Sequence, residues 1–407
     1  MTVRAMLLAA AGLAAAWLAT LWLDPFADER ITDVLVYLRY GDLFLAGELP
    51  YRDVPFEYPP LAAPLMALGG VAGTDYETYR AIFAAITLVP ALVVVLGCGA
   101  LARATGGDYR LALAAAALAP LLTGAMIRTH FDLAPVALTV LALLAIVRGR
   151  VTWGFALLAL GAMTKAFPLV VAPVALAWLL ARGERRYALH GMLALLGTLA
   201  VVAAAALAIS PSGFADAVRY QVDRPVQVES APAVVLRAVE ALGGADARAV
   251  HSHGSDGLDH PADGLVSGLF TALLAATIAL LAFGATRGER PGTPPGPRSL
   301  VLASLGAVIA TAAFASVLSP QFLIWTVPLL ALACAWRMRA LAATLSAALV
   351  LTQIEFPSRY FDLVDREPFP VELVAVRDLV LIAAVGLVVL ALLGPRRQLS
   401  TAAARST

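Results

Sequence analysis

Apolar runs long enough to cross a bilayer recur along this chain and limit what it can fold into. A transmembrane helix needs about 20 apolar residues. From residue 187 onward, apolar runs of 15 to 24 residues lie near residues 187–210, 265–286, 299–317, 322–336, 340–355 and 377–394. Hydrophobic residues make up 61% of the 407 residues and charged residues 14%, against about 25% charged residues in soluble domains. The sequence therefore predicts an all-α polytopic protein surrounded by membrane lipids, and it gives no reason to expect a nucleic-acid partner.

Short clusters of arginine separate the spans and predict their orientation, because basic residues in short loops tend to stay cytoplasmic. The clusters lie at 103–110, 148–150, 182–186, 287–298, 337–339 and 395–397. Together with a first span that begins at Arg4, they predict about twelve transmembrane helices with both termini in the cytoplasm. The plasma membrane is the expected location. Segment 61–72 is too short to cross comfortably and is predicted to lie at the outer interface, with a true short span as the alternative.

The same pattern predicts the organisation of the chain. Residues 1–286 are expected to form a catalytic transmembrane module with two external loops, 25–79 and 211–264, and the first loop is expected to carry juxtamembrane helices. The Pro- and Gly-rich segment 287–298 is predicted to be a cytoplasmic linker. Residues 299–407 are predicted to supply further spans and a cytoplasmic tail.

One hairpin is too short for two complete passes. Only 29 residues run from Trp153 to Ala181, so both arms are predicted to be truncated helices. Lys165 at their joint then lies below the outer surface, where a cation needs an anionic partner. The alternative is that Lys165 only extends its amine to the interface.

The loop from Asp33 to Pro60 is polar, acidic and rich in tyrosine. Ionisable groups at membrane depth are costly unless they serve a site, so this loop is predicted to carry the chemistry; an ordinary solvated connection is the alternative. The outer face holds the possible base Asp33, the cationic or titratable residues Arg128, His130, Lys165, Arg224 and Arg359, and the carboxylates Glu29, Asp53, Glu57, Asp132 and Glu229. This set suits sugar transfer from a lipid phosphate, because cations stabilise the departing phosphate and a carboxylate deprotonates the acceptor.

Several motifs then resemble one family. They are Asp33 and Tyr37 followed by Gly47, Tyr51 and Tyr58-Pro59-Pro60; Lys165 with Pro168 and Pro173; Ser319-Pro320-Gln321 with Trp325; and YQVDRPVQVES at 220–230. These motifs are similar to those of the GT-C superfamily of integral-membrane glycosyltransferases, particularly the polyprenol-phosphate-mannose type of glycosyltransferase family 87.

The resemblance implies a GT-C fold in which Asp33 is the general base. It implies a polyprenyl-phosphate-linked sugar as the donor, used on the external face with inversion at the anomeric carbon. The resemblance favours mannose as that sugar. The acceptor is expected to be a glycolipid or cell-envelope glycan. No cofactor is implied and no metal ligands are predicted, although a divalent metal stays open.

The resemblance also implies roles for other residues that match the family's motifs. Lys165, Arg128 and Arg224 are predicted to bind the donor phosphate. Substrate contacts are predicted for Tyr37, Tyr51, Tyr58, His130, Glu229, Gln321 and Arg359. Three alternatives stay open: Arg128, His130 and Asp132 pair among themselves, Arg224 pairs with Glu229, and Arg359 is an interfacial anchor.

Two other interpretations are weighed against this one. The histidines and aspartates of segment 251–260 alternate at metal-ligand spacing, yet its glycines favour a flexible, solvated external loop. A transporter or flippase of lipid-linked sugars would use the same cations, and a scaffold with a decayed site is a third function class. Acid and base groups on one side only favour catalysis over passage across the bilayer.

Overall fold

The computed structural model describes residues 1–73, 75–288 and 292–394, and within them it is almost entirely helical. The first helices are α1 (Val3–Trp22), α2 (Val34–Leu45), α3 (Ala62–Gly69), α4 (Tyr76–Ala104), α5 (Tyr109–Leu118), α6 (Pro120–Thr123), α7 (Met126–Thr129), α8 (Leu133–Val147), α9 (Val151–Ala162) and α10 (Val171–Ala181). The later helices are α11 (Arg185–Ile209), α12 (Pro211–Val222), α13 (Ala231–Ala241), α14 (Asp263–Ala285), α15 (Pro297–Phe314), α16 (Val327–Ala335), α17 (Arg339–Glu355), α18 (Tyr360–Val364) and α19 (Pro368–Leu393). Two 3-10 segments, Phe167–Val170 and Pro320–Thr326, precede α10 and α16.

Long apolar helices confirm the predicted fold class, an all-α polytopic membrane protein. Within the described ranges, six helices are long and apolar enough to cross a membrane: α1, α4, α11, α14, α15 and α19. Shorter apolar segments cover Tyr109–Thr123, Leu133–Val147, Val151–Ala162, Phe167–Ala181 and Pro320–Ala335. The predicted count of about twelve spans depends on these shorter segments and on α17.

The centre of the bundle is α15. Its apolar window is 78% buried, whereas those of α11 and α14 are only 11% buried. Helix α15 packs against α10, α14 and α19. The outward apolar faces of α11 and α14 suit contact with lipid tails, which are as apolar as leucine itself.

The predicted division into two modules remains a prediction. The end of segment 287–298 is tied to α10, because Arg182 Nη1 donates to the Pro295 carbonyl at 3.0 Å and Trp178 Nε1 donates to the Gly296 carbonyl at 3.0 Å. Residues 289–291 of the predicted linker lie outside the described residues, as do the predicted tail and its basic cluster at 395–397.

The first loop contains the predicted juxtamembrane helices, α2 and α3. Helix α3 has 8 residues and rises about 12 Å, well short of a hydrocarbon core about 30 Å thick. The Leu61 N–H donates to the Met163 carbonyl at 2.8 Å, which ties the start of this segment to the end of α9. Segment 61–72 is therefore too short to cross a membrane by itself.

The second loop corrects one prediction. Segment 251–260 is part of an antiparallel sheet with strand order β1 (Val226–Gln227), β3 (Ser255–Asp259), β2 (Arg248–Ser252). Leu258 pairs with Val226 on one side and with Ala249 on the other, and it is fully buried. The prediction of a flexible solvated loop was wrong, because strand pairing satisfies this backbone and Gly254 supplies the left-handed turn, at φ 63°.

The two loops predicted to be external pack tightly on each other. Gln221 Nε2 on α12 donates to the Glu57 carbonyl at 2.8 Å. Gly213 on the same helix lies so close to the first loop that a Cβ atom there would overlap the carbonyl oxygen of Tyr51. The absence of a side chain at Gly213 is therefore what lets α12 lie against the backbone of the first loop.

Replacing Gly213 by Ala is expected to destabilise the protein by about 1–3 kcal/mol, because two backbones must separate to admit the methyl group. The measurement is the thermal unfolding midpoint of the purified protein in detergent. Gly197→Ala on α11 is the matched control, since its Cβ meets open space and alanine favours a helix over glycine. Equal midpoints for the two variants would contradict this packing argument.

Candidate active site

Asp33 lies at the point where the chain enters α2, and its carboxylate has two side-chain neighbours, Tyr37 and His130. It occupies the N-cap position of α2 but forms no capping hydrogen bond. The Tyr37 hydroxyl, one helical turn later, donates to Asp33 Oδ2 at 3.1 Å, and His130 Nε2 lies 3.5 Å from the same oxygen. The side chain is 37% exposed. Asp33 is therefore both oriented and open to a substrate.

The contacts of Nδ1 indicate which ring nitrogen of neutral His130 carries the proton. His130 is buried, and Nδ1 lies 3.2 Å from the Met126 carbonyl and 3.0 Å from Thr129 Oγ1. The Thr129 hydroxyl already donates to the Ala125 carbonyl. Because a carbonyl only accepts, Nδ1 carries the proton in this geometry. Nε2 is then the atom that faces Asp33 and can exchange a proton with it.

Aromatic rings form a wall beside Asp33. The rings of Tyr37, Tyr58 and Phe131 lie within 5.4–6.1 Å of one another, centroid to centroid. Burial raises the pKa of the Tyr37 and Tyr58 phenols, and the nearby Asp33 charge raises it further. Both phenols therefore stay neutral, and Tyr37 remains a hydrogen-bond donor to the Asp33 carboxylate.

Lys165 has the anionic partner that the sequence analysis required. Its Nζ donates to Asp132 Oδ1 at 2.7 Å, and Trp325 Nε1 donates to the same oxygen at 2.7 Å. Asp132 is fully buried and its Oδ2 has no hydrogen-bond partner. Only 18% of the Lys165 side chain is exposed, so it is enclosed beside Asp132 and does not simply reach out to the interface.

The Lys165 ammonium also faces three aromatic rings. Nζ lies 4.7 Å from the centroid of Phe322, 5.3 Å from that of Phe131 and 5.7 Å from that of Trp325. The Trp325 ring is stacked between Phe167 at 4.1 Å and Phe322 at 4.2 Å. Both 3-10 segments supply rings to this aromatic cluster, Phe167 from the first and Phe322 and Trp325 from the second. An ammonium ion over aromatic faces keeps its charge at low cost in water-poor surroundings.

Segment 128–132 connects the surroundings of Asp33 with those of Lys165. Its three charged or titratable residues pair with three different partners. Arg128 contacts Glu29, His130 contacts Asp33, and Asp132 contacts Lys165. The open alternative, in which these three residues pair among themselves, is wrong. Asp132 and Trp325, as partners of Lys165, are site features that the sequence analysis did not assign. The alternation of charged residues at 128, 130 and 132 was the available signal.

Arg128 is enclosed by contacts within the protein. It is almost fully buried, and its Nε donates to the Thr20 carbonyl at 3.0 Å in addition to the Glu29 contact. Glu29 also accepts a hydrogen bond from Arg80 Nη1 at 3.2 Å. Arg128 thus joins the end of α1 to the first loop, and its predicted contact with phosphate remains a prediction.

A groove of about 280 Å³ lies beside Arg128 and Arg80. It lies between α1 and α4. Arg80, Arg128, Trp17, Leu21 and Leu88 are among the residues that line it. The groove combines apolar walls with two guanidinium groups.

Arg224 and Glu229 point to different surroundings. Arg224 Nη2 donates to Ser255 Oγ at 3.1 Å. Burial lowers the pKa of Arg224, while Tyr220, Tyr58 and Asp33 act in the opposite direction. Glu229 is fully buried, and burial together with Glu355 raises its pKa. Within the described residues no ion pair joins Arg224 to Glu229.

The other predicted substrate contacts remain predictions. Gln321 is half-buried in the 3-10 segment Pro320–Thr326. Arg359 donates to the Ile354 carbonyl at 2.7 Å and lies over the Phe369 ring at 5.3 Å, contacts that fit an interfacial anchor. The Tyr51 hydroxyl donates to the Tyr58 carbonyl at 2.7 Å. Tyr51 therefore shapes the first loop through its own hydrogen bond.

Replacing Tyr51 by Phe is expected to cost about 0.5–1.5 kcal/mol of stability, the usual net value of one hydrogen bond. The KM for the donor is expected to stay unchanged, because the hydroxyl is engaged within the loop. Thermal unfolding and initial-rate kinetics check both parts. Tyr187→Phe, at an exposed site on α11, is the control and should change neither. A raised KM at normal stability would instead make Tyr51 a substrate contact.

No group of three or more His, Cys, Asp or Glu side chains within the described residues is arranged to hold a metal ion. In segment 251–260, His251 Nδ1 lies 2.8 Å from Asp256 Oδ1, and His260 Nε2 lies 3.1 Å from the Ala245 carbonyl. These side chains contact partners within the sheet and the loop before it.

The arrangement can move a proton and stabilise an anion in one place. Asp33 and His130 can receive a proton from a bound hydroxyl. Lys165, an enclosed ammonium group, can stabilise negative charge that develops on a leaving group. Residues 130–132 connect the two functions through adjacent side chains.

Comparison with known proteins identifies the family of this chain. The profile of Glycosyltransferase family 87 matches residues 56–320, more than half of the chain. The match includes Tyr58, segment 128–132, Lys165 and Arg224, and it begins after Asp33, Tyr37 and Tyr51. The search of curated proteins finds no significant match. The chain therefore belongs to glycosyltransferase family 87, and it is a glycosyltransferase built from membrane helices.

Proposed function

We propose that this glycosyltransferase moves a sugar from a polyprenyl-phosphate donor to an acceptor hydroxyl at the external face of the plasma membrane, with inversion at the anomeric carbon. The observation that carries the proposal is the pairing of Asp33 with His130, two residues from the Asp132 that holds Lys165. The possible base Asp33 and the enclosed cation Lys165 thereby both contact one short segment, 130–132. Transfer from a phosphate needs both.

In the proposed reaction Asp33 takes the proton of the acceptor hydroxyl, and the acceptor oxygen attacks the anomeric carbon. The bond between that carbon and the phosphate oxygen breaks, and the polyprenyl phosphate leaves with its bonding electrons. The phosphate gains one negative charge as it leaves. Lys165 and Arg224 then stabilise the transition state more than the ground state, which is what accelerates a reaction.

The groove between α1 and α4 supports a lipid-borne donor. Its apolar walls, which include Trp17 and Leu88, suit an isoprenoid chain, and Arg80 and Arg128 lie at its charged end. A chain lying there would bring its phosphate to the level of the first loop. A donor anchored in the membrane needs such a lateral entry.

Mannose is the sugar we propose, on the family resemblance, and a glycolipid or cell-envelope glycan is the proposed acceptor. The acceptor would enter from the side of the external loops, where α12 and the β1–β3–β2 sheet pack over the first loop. Both termini are proposed to be cytoplasmic. No metal or cofactor is part of the proposal.

The test is transfer of labelled sugar in membranes that contain this protein, with membranes lacking it as the control. Labelled polyprenyl-phospho-mannose, polyprenyl-phospho-arabinose and GDP-mannose are supplied separately. We expect protein-dependent label in a lipid or glycan product with polyprenyl-phospho-mannose alone. Transfer from GDP-mannose at an equal rate, with polyprenyl-phosphate synthesis blocked, would contradict the donor class. Movement of intact lipid-linked sugar between leaflets without transfer would favour the transporter.

A further inference from the structure

A second groove lies at the end of the bundle opposite Asp33. It has a volume of about 510 Å³ and runs between α1 and α5. Helix α1 has 20 residues and is about 30 Å long, so its first turn and the loop that carries Asp33 lie a full membrane thickness apart. Nothing in the proposed transfer reaction uses this groove.

The groove is apolar along its length and basic at one end. Its walls contain the small residues Ala9, Gly12 and Ala117 and the larger Leu8 and Leu118, and Thr2, Arg4 and Arg110 lie at its start. Leu8 is 64% exposed and Leu118 is 49% exposed, so the groove opens sideways. In a membrane that side faces lipid.

The length of the groove between α1 and α5 limits the length of a molecule that fits in it. Gly12 faces Ala117 so closely that a Cβ atom added at Gly12 would lie 3.8 Å from Ala117 Cβ. Both residues lie about two helical turns beyond their arginines, so the two helices are parallel and the groove extends about 12 Å from the arginines. One leaflet of the hydrocarbon core is about 15 Å thick. An acyl chain in that leaflet fits this length.

Positive charge converges at the groove's start. Both helices begin there, so both positive dipole ends point toward it. Within the described part of the chain, neither Arg4 nor Arg110 forms an ion pair with a carboxylate. Asp108 uses Oδ1 to accept the Arg110 backbone N–H, and the Arg110 guanidinium lies 5.9 Å from the Tyr109 ring centroid. Two exposed guanidinium groups are thus available to an anion.

We propose that this groove binds a phospholipid with an anionic headgroup, its acyl chain along Leu8, Gly12 and Leu118 and its phosphate between Arg4 and Arg110. Arginine near a membrane surface attracts anionic lipid, and a basic pocket between spans selects the headgroup. The apolar walls then keep one chain in place. This site is independent of the proposed sugar transfer.

The test is native mass spectrometry of the purified full chain in neutral detergent, titrated with phosphatidylglycerol or with phosphatidylcholine of the same acyl chains. We expect one phosphatidylglycerol to be retained more tightly than any phosphatidylcholine. The double change Arg4→Gln with Arg110→Gln is expected to weaken that adduct by about tenfold or more. The control, Arg148→Gln with Arg150→Gln, removes two exposed arginines from the same end of the bundle and should leave the adduct unchanged.

Gly12→Leu provides the second arm, because it fills the groove while both arginines remain. We expect the same loss of the phosphatidylglycerol adduct, with the thermal unfolding midpoint confirming that the protein is folded. Retention of the adduct in either groove variant would overturn the proposal. So would an equal loss in the control, or equal retention of phosphatidylcholine, which would indicate an apolar groove without headgroup selection.

Discussion

Replacing Asp33 by Asn is expected to lower kcat for sugar transfer by about 10²- to 10⁴-fold, the usual contribution of a general base. Asparagine keeps the size of the side chain, and its carbonyl oxygen can still accept the Tyr37 hydroxyl that now reaches Asp33 Oδ2. What it loses is the ability to take a proton and to pass it toward His130. The measurement is the initial transfer rate at saturating donor, with equal amounts of folded protein.

Asp42→Asn is the matched control. Asp42 lies on the exposed side of the same helix, α2, so the control makes the same chemical change without touching the site. We expect it to transfer at the native rate. If Asp33→Asn kept more than about a tenth of the native kcat, or if both variants fell equally, Asp33 would not be the base.

The second large effect is expected from Lys165. Lys165→Met removes the ammonium charge but leaves an apolar side chain among Phe131, Phe322 and Trp325. Loss of one group that stabilises developing negative charge costs about 10²- to 10³-fold in kcat. The change also leaves Asp132 as a buried carboxylate without its ion pair, which is expected to destabilise the protein by about 3–5 kcal/mol.

A double variant separates these two effects. Asp132→Asn added to Lys165→Met removes the unpaired charge, while the asparagine oxygen can still accept the Trp325 Nε1 hydrogen bond. We expect the thermal unfolding midpoint to recover most of its loss and kcat to stay low. Recovery of kcat together with stability would show that Lys165 acts only as the structural partner of Asp132.

Sequence reasoning succeeded where the relevant signal is local. Apolar length predicts spans, and the runs near 187–210, 265–286 and 299–317 became α11, α14 and α15 within a few residues. The 29 residues allowed to the hairpin predicted short arms, and α9 indeed has 12 residues. The short hairpin also led to the prediction that Lys165 has an anionic partner, because an unpaired cation at that depth is costly.

Sequence reasoning failed for the short, polar strands of segment 251–260. Segment 251–260 contains Gly254 and Gly257 and lacks a run of β-branched residues, so it was predicted to be a loop. Most of its pairing is the local hairpin of β2 with β3, and β1, more than 20 residues earlier in the sequence, adds two further residue pairs. Strand propensity depends on packing against neighbouring strands and on burial, so a polar hairpin without β-branched residues gives little signal in the sequence.

The sequence by itself determined the class of the protein, the polar loop that carries Asp33 and the enclosed position of Lys165. Only the tertiary structure decided which residues pair: Arg128 with Glu29, His130 with Asp33 and Asp132 with Lys165. Hydrophobic length and charge act along the chain and are readable there. Ion pairs and ring contacts join residues from different helices, so their identity is set by helix packing.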